Sequence, residues 1–169
     1  MGYVRRSLAA AGSAAFFALA PGTVAGLLPW WLTRWRPGAA FAHWLPVRLL
    51  GVLLLLAGSA LLVHAFARFV VEGIGTPAPI APPTRLVVGG LYRYVRNPMY
   101  LAVTAAILGQ ALVLWRPVLL GYAALATAAM VAFVLGYEQP ALADRFGNEY
   151  ATYRRAVPGW LPRLTPWRS

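Results

Sequence analysis

The chain has 169 residues, of which 60% are hydrophobic and 11% charged. An ordinary soluble domain carries about a quarter charged residues, so this composition excludes that class. There is no cysteine, which rules out disulfides, thiolate chemistry and cysteine-based metal sites. The net charge of +11 comes entirely from arginine among the bases, against four acids. No separate soluble basic domain exists to carry nucleic acid. Arginines between apolar runs instead orient a membrane protein and meet anionic headgroups.

Four uncharged runs follow one another. Ser7 to Thr33 spans 27 residues, Leu49 to Ala67 spans 19, Asn97 to Trp115 spans 19, and Pro117 to Tyr137 spans 21. A bilayer-crossing helix needs about 20 apolar residues, so each run predicts one crossing. Pro21-Gly22 predicts a kink in the first, or its division into two half-spans, which gives four to five helices in all. Arg5-Arg6 before an apolar run loosely fits a signal peptide, but the run is too long and continues into Trp30, Trp31 and Trp35. That tryptophan cluster reads as an interfacial belt. The third and fourth runs are joined only by Trp115-Arg116-Pro117, so they form a tight antiparallel hairpin with Pro117 at a helix start.

With the N-terminus inside, eleven arginines fall on the inner side and four (Arg34, Arg36, Arg48 and Arg116) on the outer. This predicts an N-in, C-in arrangement, in which residues 72–98 and the tail after 138 share the cytoplasmic face. Between Gly73 and Pro83 the prolines make a stiff extended connector. Asn97 and Pro98 then suit the N-cap and first turn of the third helix. Arg93, Tyr94, Arg96 and Asn97 thus gather at a helix N-terminus, where free N–H groups favour anions. Glu138 ends the fourth run, and a carboxylate at that depth is costly unless paired; Arg93 and Arg96 are the candidate partners. Pro140 can open a new amphipathic helix with Leu142, Phe146, Tyr150 and Tyr153 on one face. His43 and His64 lie apart along the chain, so no metal site is expected.

Two segments, Leu86 to Tyr100 ("LVVGGLYRYVRNPMY") and Glu138 to Arg163 ("EQPALADRFGNEYATYRRAVPGWLPR"), flank the hairpin. In this order and separation they resemble the isoprenylcysteine carboxyl methyltransferase and phospholipid methyltransferase superfamily. Gly90, Tyr92, Arg96, Asn97, Pro98 and Tyr100 match its first motif. Glu138, Leu142, Phe146, Gly147, Tyr150, Tyr153, Pro158 and Pro162 match its second. Asn97 stands where eukaryotic members carry histidine, as in many bacterial-type members, and Gln139 replaces a second glutamate. The resemblance implies an all-α integral membrane protein, with transmembrane helices over residues 1–72 and a methyltransferase core over 73–169. It implies S-adenosylmethionine as methyl donor and a lipid-borne acceptor; the composition, rich in alanine and arginine, points to a bacterial inner membrane. The resemblance also implies a donor pocket formed by Tyr92, Tyr94, Arg96, Asn97, Pro98, Tyr100, Leu101, Glu138 and Gln139. Catalytic roles fall to Glu138, and to Arg93 and Arg154 as anchors for an anionic acceptor. Two alternatives accompany this reading: an NAD(P)H-dependent reductase, since sterol-reductase-like proteins share a similar C-terminal architecture, and a non-enzymatic membrane binding protein.

Overall fold

The computed structural model describes residue 12 and residues 14–38, 45–68, 71–72 and 84–168. Arg5, Arg6, His43 and the connector at 73–83 lie outside the described residues. Within them the chain is helical: α1 (Ala14–Thr33), α2 (Leu45–Arg68), α3 (Pro98–Leu114) and α4 (Val118–Ala156). A single 3-10 turn, Gly90–Arg93, precedes α3. The protein is an all-α integral membrane protein. Three helices are long and apolar enough to cross a bilayer, and α3, with 17 residues, sits at the short end of that range.

The side-chain distribution is that of a protein solvated by hydrocarbon. Leu49, Leu53 and Leu56 of α2 face outward and are well exposed. The opposite face of α2 is lined by Gly51, Gly58 and Ala65, and there the backbone of α3 comes close. A Cβ on Gly58 would stand 2.7 Å from the Ala102 carbonyl, and one on Gly109 would stand 2.6 Å from the Leu55 nitrogen. With no hydrophobic gain from burying leucine in lipid, close backbone approach over small residues is what joins such helices. Leu62, Phe66, Val103, Ile107 and Ala123 complete the buried centre. A Thr104–Thr127 hydroxyl pair at 2.9 Å joins α3 to α4.

Two local departures from the α-helix share one pattern. In α1 a π turn, Thr23–Leu27, ends two residues before Pro29. In α4 a π turn, Val134–Glu138, ends two residues before Pro140. Proline has no N–H to give the carbonyl four residues back, and a π turn absorbs this without breaking the helix. The irregularity expected near Pro21-Gly22 begins at the next residue, Thr23, as a π turn and not a break, so α1 is one helix and not two half-spans. Pro140 stands in the first turn of the helical segment Gln139–Ala156, which continues from the π turn as part of α4.

In α1 the π turn frees carbonyls that other helices then claim. The Leu28 N–H bonds to the Thr23 carbonyl, which leaves that of Val24. The Tyr122 hydroxyl donates to it at 2.7 Å. Pro29 leaves the Ala25 carbonyl, and Gln110 Nε2 donates to it at 2.6 Å. Gln110 Oε1 in turn accepts from the Trp35 indole at 3.2 Å. Every polar group at membrane depth needs such a partner, and this network fixes α1 against the hairpin.

At the opposite end the chain after α4 straps the 90–97 segment. Its main bonds run from the Arg96 N–H to the Pro158 carbonyl, the Arg163 N–H to the Tyr94 carbonyl and the Trp167 N–H to the Arg93 carbonyl. The helix itself breaks direction at Gly147, whose φ of 48° and ψ of −121° suit glycine alone.

Candidate functional site

One cavity of about 740 Å³ opens between α1, α3 and α4. This lies within the ~300–1,000 Å³ range of small-molecule sites. Its polar end is built by the strap and the start of α3. Tyr92, Arg96, Asn97, Pro98, Tyr100, Glu138 and Gln139 all line it. Seven of the residues singled out in the sequence are therefore neighbours, although they come from two segments on either side of a hairpin.

Each is held in its own way. The Tyr153 hydroxyl donates to the Tyr92 carbonyl at 2.7 Å, tying α4 to the 3-10 turn. Burial pushes the Tyr92 phenol well above its ordinary range, and the negative charge of Glu138 adds to the effect. Arg96 is pinned through Nε to the Val157 carbonyl at 2.9 Å and through Nη1 to the Tyr150 hydroxyl at 3.3 Å. Its remaining amino edge lies beside Gly159, where a Cβ would come within 3.2 Å of Nη2. A side chain at residue 159 would therefore crowd this guanidinium, which would have to shift slightly to admit it.

Asn97 occupies the N-cap position of α3, but its side chain makes no capping bond. The residue is buried, and its Nδ2 has no hydrogen-bond partner. An unpaired buried amide costs about 1–3 kcal/mol, which sets this Nδ2 apart as the buried side-chain polar atom left without a partner among the described residues. Glu138 lies at the same end. Its carboxylate accepts from the Tyr100 hydroxyl at 2.7 Å. No ion pair joins it to Arg93 or Arg96; among the described residues the carboxylate–guanidinium contact is Arg68–Glu72, at 2.6 Å. The reason is that both arginines are already committed to carbonyls of the strap.

Four residues expected at the site do not reach the cavity. Arg93 turns the other way, with Nε on the Trp167 carbonyl at 2.7 Å, and borders a separate small hollow with Val88 and Gly89. Tyr94 offers its carbonyl to the strap. Leu101 is half-buried away from the lining, and Arg154 is exposed on the outer side of α4. Conversely, Asp144 and Arg145 stand in the cavity wall. They follow Leu142 on α4 and precede the Gly147 kink that turns the helix there.

The other end of the cavity is apolar. Phe16, Ala20, Pro21 and Val24 of α1 meet Phe66 of α2 and Met130 of α4. Sequence inspection assigned none of these to a site. The hint available was Pro29 and Pro140, each of which marks the π turn that lies against the cavity.

The arrangement provides donors (Arg96, Asn97), a carboxylate acceptor (Glu138) and aromatic surfaces (Tyr100, Phe146) around one polar pocket that continues into an apolar one. No curated protein and no solved structure matches the chain. The profile of the phospholipid methyltransferase family matches residues 47–149, which takes in α2, the Asn97 segment, the hairpin and Glu138. With well over half its length inside that match, this chain belongs to the phospholipid methyltransferase family.

Proposed function

We propose that this chain is an S-adenosylmethionine-dependent methyltransferase acting on a lipid-borne acceptor at the cytoplasmic interface. The observation that carries the reading is the unpartnered Asn97 Nδ2 at the polar end of the cavity, close to the Arg96 guanidinium and sharing the wall with Glu138. An amino acid group presents a carboxylate and an ammonium, and these residues offer donors for the first and an acceptor for the second. Tyr100 and Phe146 offer faces for an adenine or a sulfonium. The donor set and the cavity volume therefore fit the methyl donor.

When bound, S-adenosylmethionine supplies an electrophilic methyl group carried on a sulfonium. The residues of the chain have less to do than in hydrolysis, because direct displacement needs alignment above all. Asn97 and Arg96 hold the donor end. Tyr100 fixes the Glu138 carboxylate through Oε2, which leaves Oε1 to bind an ammonium or to take the proton that an amine acceptor releases. The apolar walls exclude water. Arg145, in the cavity wall, is our candidate for an anionic headgroup, in place of Arg93 and Arg154, which do not line the cavity. The excess of arginine on the segments taken as inner supports the cytoplasmic assignment.

Titration of the purified full chain in detergent with S-adenosylmethionine and, separately, NADPH tests the reading. Binding of the first and not the second is expected, weakened about tenfold or more in Asn97→Ala by loss of a buried hydrogen bond. Binding of NADPH alone would replace the reading with a reductase.

A further inference from the structure

The apolar end of the cavity draws its wall from a helix that the family match does not include. Residues 47–149 begin after α1, yet Phe16, Ala20 and Val24 line the cavity. They are spaced four residues apart and so form one stripe on α1. Across from them stand Phe66 and Met130, and no charged side chain is among them.

We infer that this stripe of α1 measures the hydrocarbon chain of the acceptor, with Ala20 as the residue that sets the room available. The inference rests on the methyltransferase reading for what happens at the polar end, and adds what the acceptor must carry at the other. The occupant is a hydrocarbon chain on three grounds. The lining offers no hydrogen-bonding side chain, so water finds no partners there and gains nothing by filling it. The helices that enclose it are of bilayer-crossing length, so this end lies among lipid chains. The same cavity continues to Asn97 and Glu138, so a molecule filling both ends is polar at one and apolar at the other.

The wall is also fixed. Val24 sits in the π turn whose carbonyls are taken by Tyr122 and Gln110, at 2.7 and 2.6 Å. Phe17, beside the stripe, packs edge-on against Phe66 with ring centres 4.9 Å apart. A wall tied from both sides measures length and bulk instead of adapting to them. Ala20 is the smallest side chain of the stripe, so a larger residue there shortens the apolar end directly.

The test uses a phosphatidylethanolamine with a diazirine at the end of one acyl chain, incorporated with the full chain in nanodiscs and crosslinked by light. Adducts are expected on residues 16–24. In Ala20→Phe their yield falls about tenfold, the scale on which hydrophobic pockets discriminate size. Leu53→Phe, on the lipid-facing side of α2, leaves the yield as it is. On the unaltered chain, unlabelled dioleoyl phosphatidylethanolamine displaces the probe and the dihexanoyl form does not. Adducts spread equally over residues 16–24 and the Leu53 face, or equal displacement by both lipids, would overturn the inference. S-adenosylmethionine binding is titrated in parallel. Adducts on 16–24 without donor binding would overturn the methyltransferase reading and leave the chain-measuring stripe standing.

Discussion

The Tyr100 hydroxyl donates to Glu138 Oε2 at 2.7 Å, across 38 residues of sequence and from α3 to α4. This bond orients the carboxylate through one of its two oxygens, at a residue that lines the cavity. Tyr100→Phe removes the bond but keeps the ring. The expected result is weaker donor binding by about three- to tenfold, the worth of one ordinary hydrogen bond, with a modest loss of thermal stability from the unpaired carboxylate. Titration calorimetry beside a melting curve separates the two effects.

Gly147 is a second point where sequence dictates geometry. Its φ of 48° with ψ of −121° is closed to other residues, while a Cβ there would touch nothing. The cost of Gly147→Ala is therefore conformational, about 1–3 kcal/mol. The variant is expected to melt earlier in detergent. It should also lose donor affinity, because Leu142, Asp144, Arg145 and Phe146 before the kink and Tyr150 after it line the same cavity. A melting temperature equal to that of the unaltered chain would show that the kink is not required.

The α2–α3 contact gives a paired comparison. A Cβ at Gly109 would press on the Leu55 nitrogen at 2.6 Å and the Gly51 carbonyl at 2.7 Å, both backbone atoms that cannot rotate away. Gly109→Val is expected to abolish recovery of folded protein from detergent. Gly121→Ala, where a Cβ meets nothing within 4 Å, is expected to be neutral or slightly stabilising in the helix. Size-exclusion profiles of the two variants read the difference.

Tyr92 predicts a pH dependence at the alkaline side. Its folded value is raised above the ordinary 10.0 by burial, with Glu138 adding to the effect. Below the ordinary value both states hold the proton and stability is undiminished. Above it the unfolded phenol ionises while the folded one does not, so stability falls as pH rises. Melting temperatures measured upward from pH 9 should decline, and the decline should be shallower in Tyr92→Phe.

Much of the fold was legible in the sequence because its signal is bulk hydrophobicity. Arginines at 34, 48, 68, 96 and 116 bound runs that became helices, and Trp115-Arg116-Pro117 became the hairpin turn. Seven of the residues expected in a donor pocket, Asn97 and Glu138 among them, line one cavity, and nearness in space is as far as the two segments' residue types could point. What was not legible depends on tertiary competition. Arg93 and Arg96 share a segment and a charge, yet one faces Trp167 and the other Tyr150, which is decided by the strap. The expected Glu138–arginine pair gave way to a tyrosine for the same reason. The π turns are likewise hidden, because nothing local says whether a helix meeting proline will break or shift register. Gln110 and Tyr122 settle that for α1 from outside it.

The central claim is that methyl transfer is served by the polar end of the cavity, at Asn97 and Glu138, and not by the arginines on the outer side of α4. Transfer of a labelled methyl group from S-adenosylmethionine into a native lipid extract, by the full chain in nanodiscs, tests it most directly. Asn97→Ala and Glu138→Gln are each expected to lose activity by about tenfold or more, while Arg154→Ala keeps it. Full activity in both cavity variants, with loss in Arg154→Ala, would contradict the account.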